Sequence, residues 1–273
     1  FADSSNVYDL SGNGVKGTLT NGVGFDAEYN AFTFDGVNDY VSGRLNNPAG
    51  AWVHSISLWF KGNGLTSTNN TTLFQIGEQT TGNAILSRVE TDMIRYTFFD
   101  GDFQAAVTIN NNQWYHAAFT YIGGSAASDR AIYLNGIKLN ATVVAGTVGA
   151  LNIAANEDFT IGSQRAILEG YFPGSIANFR VYSKALNADQ VRELYDYDAE
   201  RFGHRQNLVA LHKGNLGVGV AHPTARFEVA GADGLQKYPP KAMTGYETYI
   251  DGHGVFRAYA SNEESAGRQV ENL

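Results

Sequence analysis

From Ala31 to Gly162 apolar and polar residues alternate with a period of two, interrupted at close intervals by turn residues. The segments AFTFDGVNDYV, SISLWFKG, TLFQIGE, MIRYTFFDG, WYHAAFTYIGG and AIYLNGIKL carry the pattern. Side chains at i and i+2 of a strand share a face, so each segment offers one apolar face to a core. The Asp-Gly, Gly-Gly and Asn-Gly pairs supply the positive-φ residues that tight hairpins require. Asn135-Gly136, between two short apolar runs, is the strongest of these signals. Many short antiparallel strands over this length predict an all-β sandwich. One segment departs from the period. NADQVRELYDYDAER predicts a helix with Asn187 as N-cap, Asp189 in the first turn, and Val191, Leu194 and Tyr195 on one face. It is expected to close the first domain near Arg201.

Composition narrows the function classes. The formal net charge is -8 with no basic stripe, which argues against binding a phosphate backbone, so no nucleic-acid partner is expected. Cysteine is absent, which removes disulfides, thiolate catalysis and Cys-ligated zinc together. No run approaches the ~20 apolar residues that span a bilayer, so no membrane insertion is expected, and no signal peptide is visible. The sequence opens at Phe1 without Met, and a fragment or processed product is the expectation.

Few stretches carry catalytic chemistry. ETDMIR, Glu90 to Arg95, nearly matches the E-x-D-x-x-E strand motif of retaining jelly-roll β-glucanases, in which two carboxylates face one cleft. Arg95 stands where the second carboxylate belongs, which leaves Glu90 without an acid/base partner; a chance match on a solvated strand is expected. His116 has no Ser-x-Gly elbow or H-x-x-x-H partner nearby and lies among aromatics, so it is expected to be packed and non-catalytic. His54, His204, His212, His222 and His253 are scattered without metal-ligand spacing. GNLGVGV lacks the third Gly of a dinucleotide loop and the Lys-Ser/Thr of a P-loop.

The loop DSSNVYDLSGNG gathers Asp3, Asn6, Asp9 and Asn13. Such oxygens could hold Ca²⁺, or the side chains could bond their own backbone as Asx-turns; spacing favours the second reading. Asn69 and Asn70 in NNTT, and Asn140 in NAT, head N-glycosylation sequons.

The order DLSGNGVKGTL, FTFDGVNDYV, SISLWFKG, QWYHAAFTYIGG, IYLNGIKL, FTIGSQ and FPGSIANFRVYSKALNADQVREL resembles the laminin-G-like, concanavalin A-like jelly roll over Asp3 to Tyr197. The resemblance implies a jelly-roll β-sandwich closed by a short helix, with Trp59, Trp114, Tyr121 and Tyr133 filling it. It implies a rim Ca²⁺ held by Asp9 and Asn13, with Asn178 as the remaining side-chain oxygen where relatives carry an acidic residue. It also implies non-catalytic binding of glycans or proteins through rim loops, here KGNGLTSTNNTT, DGDF and GGSAASDR. Phe103, Asp129 and Tyr171 are the candidate ligand contacts, the two aromatics as platforms for a sugar ring.

GNLGVGVAHPTARFEVAG resembles a repeat of phage tail fibres and of large-virus or bacterial surface proteins, which implies a fibre-like β connector and homotrimeric assembly. YPPKAMTGYETYIDGHGVFRAYASNEE is similar to the start of discoidin-like modules. The expected organisation is a jelly-roll domain over 1–201, a Gly-rich connector over 202–237 and the start of a further β module over 238–273. The expected function is recognition of a surface glycan or glycoprotein, alongside other virion or fibre subunits, on a virion surface or outside the cell. The rival readings are a glycoside hydrolase or its carbohydrate-binding appendage, and a structural capsid or fibre component.

Overall fold

A computed structural model describes residues 5–99, 101–147, 149–164 and 170–204, and beyond them 209–212, 214–218, 226–231, 234–238, 246–250, 256–260 and 269–270. It falls into two units, Phe1–Phe202 and Gly203–Leu273.

The first unit is a sandwich of two antiparallel sheets. The nine-stranded sheet runs in the order β1 (Asn6–Tyr8), β2 (Lys16–Thr20), β5 (Tyr40–Arg44), β15 (Asp158–Ile161), β7 (Thr72–Gly77), β8 (Ala84–Val89), β9 (Met93–Thr97), β10 (Asp102–Ala106), β14 (Thr142–Ala145). The seven-stranded sheet runs β13 (Ile137–Lys138), β12 (Arg130–Leu134), β11 (Trp114–Tyr121), β6 (His54–Gly62), β16 (Pro173–Tyr182), β4 (Ala31–Asp35), β3 (Gly24–Asp26). Strands distant in sequence are neighbours in both sheets, as the jelly roll requires. The Asn135-Gly136 signal forms the expected hairpin: both residues have positive φ, 51° and 75°, and Leu134 pairs with Ile137.

Alternation decides what fills the space between the sheets. Ile56, Leu58 and Phe60 of β6 lie there with Tyr115, Ala117, Phe119 and Tyr121 of β11 and with Phe74 and Ile76 of β7. Trp59, Trp114 and Tyr133 have the opposite parity, so the expectation that they fill the sandwich is corrected; Tyr121 alone of the four does so. Trp59 and Trp114 lie on the far face of the seven-stranded sheet, under the helix α1 (Ala188–Asp198) and the turn that follows it. The Phe202 ring stacks on Trp59 at 4.2 Å and meets Trp114 at 4.8 Å. Tyr133 packs with Leu186 and Val191. Each such burial contributes roughly 1.5–3 kcal/mol, so this outer cluster is what holds the helix on the sheet.

The helix begins as its sequence requires. Asn187 accepts from the Gln190 N–H, and the Gln190 side chain accepts from the Asn187 N–H, a reciprocal box. A bulge in β16 sets the strand beneath it. Strict alternation after Ile176 would put Asn178 in the core and turn Phe179 and Val181 outward. Asn178 instead takes φ 50° and the register slips between Ala177 and Arg180. The extra residue restores Phe179 and Val181 to the core side. Arg180, on the other face, reaches Asp198 of α1 at 3.3 Å.

In the second unit β17 (Val209–His212), β18 (Asn215–Val218), β19 (Phe227–Gly231) and β20 (Gly234–Tyr238) form a four-stranded sheet, in which β18 and β19 pair in parallel. A three-stranded sheet follows: β21 (Tyr246–Ile250), β22 (Phe256–Ala260), β23 (Gln269–Val270). His222, His253 and the Pro239-Pro240 pair lie outside the described residues. No described helix is long and apolar enough to cross a membrane.

Candidate functional site

At the end of the sandwich where β4 turns into β5, three loops enclose a cleft of about 480 Å³. Asp35 and Gly36 come from the β4–β5 turn, Asn63, Gly64 and Asn69 from the β6–β7 loop, and Gly170, Tyr171 and Pro173 from the entry to β16. Two of these were expected at a binding rim: Tyr171 and the KGNGLTSTNNTT loop. Phe172 is fully buried in the core, so the preceding residue, Tyr171, faces outward and lines the cleft. Partial burial, and then the neighbouring Tyr40, raise the Tyr171 phenol above its ordinary value, so it stays protonated and can donate.

Asp35 organises the floor of its own turn. Its Oδ1 accepts from the N–H groups of Val37 at 2.8 Å, Asn38 at 3.2 Å and Asp39 at 3.4 Å. These bonds, that of Val37 first, hold the carboxyl below its ordinary value and therefore ionised. Among the described residues Oδ2 takes no hydrogen bond. Gly36 sits at φ 77°, and a Cβ there would come within 2.8 Å of Pro173, so the turn can lie against the start of β16 only with glycine. Asn63 is anchored by its backbone N–H to the Pro173 carbonyl at 2.8 Å, and its amide is exposed. Asn69 is committed to its loop, accepting from the Thr66 N–H at 3.2 Å and donating to the Gly64 carbonyl at 3.4 Å. Asp35 and Pro173 were not singled out in the sequence, where the Asp-Gly of DGVND read only as a turn, whereas Asn63 lies in the expected KGNGLTSTNNTT loop.

The other expected ligand residues go elsewhere. Phe103 pairs with Tyr96 and Val143 and is 5% exposed in the core; it is no sugar platform, because in DGDFQA the parity puts Asp102 and Gln104 outward and Phe103 inward. The Asp129 carboxylate accepts from the Ala126 N–H at 2.7 Å and closes a single 3-10 turn, Ala127–Asp129. A second cleft, of about 550 Å³, opens at the far end of β5 beside Glu78, Asn83, Asn152 and Glu157, and holds none of the expected residues.

Of the residues expected to share Ca²⁺, Asp9 follows β1 of the nine-stranded sheet and Asn178 lies in β16 of the seven-stranded sheet. Asp9 accepts from Ser11 N at 3.0 Å, from the Ser11 hydroxyl and from Asn13 N at 3.2 Å, the self-bonded turn that spacing favoured. Burial works to raise the Asp9 carboxyl, but these bonds outweigh it and leave it below its ordinary value. Asn178 belongs to β16 in the other sheet and donates to Asp198 Oδ2 at 2.9 Å. Asp3 lies outside the described residues. Among the described residues no three His, Cys, Asp or Glu gather to hold a metal.

Glu90 corrects one expectation. Its segment is the β8–β9 turn, with Glu90 N–H donating to the Met93 carbonyl at 3.0 Å, and the side chain is 7% exposed, not solvated. Burial first, then Asp92, raise its carboxyl against the opposing pull of Arg95 and Arg88. His116 is packed as expected, 1% exposed, with its ring 5.3 Å from Trp59 and 6.1 Å from Tyr195. Of the sequon residues, Asn69, Asn70 and Asn140 are all exposed, but Thr71 and Thr72 are buried, whereas Thr142 is open.

Residues 35–192 match the Laminin_G_3 family, concanavalin A-like lectin/glucanases superfamily. The fold is similar to the botulinum neurotoxin serotype D binding domain, with TM-score 0.55 and 20% identity over 76% of this chain and 51% of that one. It is similar to the binding domain of botulinum neurotoxin DC in complex with rat synaptotagmin II, with TM-score 0.52 and 15% identity over 70% and 48%. Domain 4 of AbnA, a GH43 extracellular arabinanase from Geobacillus stearothermophilus, in complex with arabinotriose, matches with TM-score 0.49 and 22% identity over 70% and 97%. The chain spans about half the length of the botulinum structures it matches. No curated protein sequence matches.

Proposed function

The chain belongs to the concanavalin A-like lectin/glucanases superfamily, and on that footing we propose that it is a non-catalytic recognition module that holds a glycan in the Tyr171 cleft. The observation that carries this reading is the composition of the cleft. An outward aromatic stands beside an ionised carboxylate with a free oxygen and an uncommitted amide, on loops fixed by the sandwich. An aromatic face with a few fixed polar groups is how proteins hold sugars and other small polar ligands. Hydrolysis would need a second carboxylate opposing Asp35, and no other described residue lining the cleft supplies one. The similar botulinum structures are themselves binding domains, which agrees with a recognition role.

The resemblance of Gly214–Gly231 to fibre repeats supports display on a virion surface or extracellular fibre, with neighbouring subunits and a homotrimer as the assembly. Light scattering of the full chain tests that part: a trimer supports it, a monomer at all concentrations refutes it. Binding is tested on a broad glycan array with the wild-type chain and Tyr171→Ala. Hits that Tyr171→Ala weakens by roughly tenfold or more support the site, in line with the loss of a stacked ring. Hits that survive the substitution place the ligand elsewhere.

A further inference from the structure

We infer that the Tyr171 cleft selects uncharged sugars and rejects anionic ones, so that its ligand is a neutral polyhydroxylated residue and not a sialylated, sulfated or uronic one; this rests on the glycan-binding reading above. The charge balance of the lining carries the argument. Among the described residues that line the cleft, Asp35 is the one charged group, and no Lys, Arg or His stands with it. Its carboxylate is held ionised by the turn it caps.

The nearby cations already have partners. Lys61 precedes the loop by two residues, but its ammonium lies 5.3 Å over the Tyr29 ring and 5.1 Å over Trp114, in the cluster beneath the helix. The Arg88 guanidinium donates to the Asn70 side chain at 3.3 Å and to the Gln164 side-chain Oε1.

A sugar carboxylate or sulfate would thus meet Asp35 with no compensating donor of positive charge. Two like charges repel, and although Asp35 is exposed and screened by solvent, the repulsion puts an anionic sugar at a disadvantage to a neutral one. A neutral sugar meets complementary groups throughout. Asp35 Oδ2 accepts a hydroxyl, the Asn63 amide both donates and accepts, and the Tyr171 face takes the C–H side of the ring. A hydroxyl held by a carboxylate is also the stronger kind of hydrogen bond, which makes Asp35 the residue that would set affinity as well as selectivity.

The test measures binding of the full chain to matched neutral and sialylated or sulfated oligosaccharides by calorimetry, for wild type, Asp35→Asn, Asn63→Ala and Tyr171→Ala. Asp35→Asn keeps an oxygen for the turn N–H groups while removing the charge, and thermal melting shows whether the turn survives. The inference predicts that wild type binds neutral sugars alone. Asp35→Asn should weaken them roughly tenfold or more and narrow the preference over anionic analogues. Asn63→Ala, which touches no turn contact, should weaken neutral sugars too and so keeps the test open if Asp35→Asn unfolds. Tight binding of an anionic sugar that Tyr171→Ala abolishes would leave the glycan site standing and overturn the neutral selectivity. Binding unaffected by any of the three variants, or no binding to either class, would overturn the site and this inference with it.

Discussion

His54 ties the stability of the sandwich to pH. It opens β6 on the core side, fully buried, with Nδ1 2.7 Å from the Trp52 carbonyl and Nε2 2.6 Å from the Tyr96 hydroxyl. The arrangement suits neutral imidazole: Nδ1–H donates to the carbonyl, and Nε2 accepts from the tyrosine O–H. Trp52, Tyr96, Phe98 and Tyr121 surround the ring, and the buried Arg130 guanidinium lies 3.8 Å over Phe98. A proton on His54 would be desolvated, would turn the Tyr96 bond around and would add a cation near Arg130. Burial therefore lowers its pKa to about 4 against an ordinary 6.5, with the bond to Trp52 opposing the shift only in part.

The unfolded chain takes up this proton below pH 6.5 and the folded one only near 4. The contribution of His54 is present in full above the unfolded value and is lost as pH falls from 6.5 to 4. A gap of that size corresponds to about 3 kcal/mol. Carboxylates titrate in the same range, so the assay is a difference. Urea unfolding of wild type and His54→Gln is followed by tryptophan fluorescence at pH 7.5, 5.5 and 4. The three tryptophans, Trp52, Trp59 and Trp114, all lie in the first unit, so the signal reports the sandwich alone. His54→Gln is expected to be the less stable at pH 7.5, by about 1–3 kcal/mol for disturbed buried hydrogen bonds. Wild type is then expected to lose about 3 kcal/mol more than the variant on going to pH 4. A difference between the two proteins that stays constant from pH 7.5 to 4 would refute the argument.

Two further outcomes follow from the packing. Asp198→Ala removes the common partner of Asn178 and Arg180, with Arg180 left beside the helix, and should cost about 1–3 kcal/mol by thermal or urea melting. An unchanged melting curve would mean that the outer aromatic cluster holds α1 without that link. Asp9→Ala should destabilise the β1–β2 turn by about 1 kcal/mol, whereas Ca²⁺ or a chelator should leave the wild-type melting temperature unchanged. A calcium-dependent rise abolished by Asp9→Ala would show that the turn opens to take the ion.

Local pattern and long-range pairing contributed differently to what the sequence revealed. The hairpin at Asn135-Gly136, the box at Asn187 and the strand alternation are short-range chemistry, and each is legible in a few residues. The far face of the seven-stranded sheet is not. Trp59 and Trp114 read as core residues because nothing within β6 or β11 says that a helix, more than seventy residues further on, will cover their face. The β16 bulge was equally hidden: SIANFRVY keeps Phe179 and Val181 in the core only if Asn178 is skipped, and that preference emerges from pairing with β6.

The two expected aromatic platforms make the sharper case. Phe103 and Tyr171 both stand beside polar loop residues, and composition alone treats them alike. Parity separates them. Phe103 shares its face with Ala105, and both are buried against the core, whereas Tyr171 adjoins fully buried Phe172 and so points away. The cleft itself needed more than parity, since Asp35, Asn63 and Tyr171 meet only because β4, β6 and β16 are neighbours in one sheet. An aromatic next to a core residue at a strand entry is therefore the signal a sequence can offer for such a rim, and the carboxylate that accompanies it is visible only once the sheet order is known.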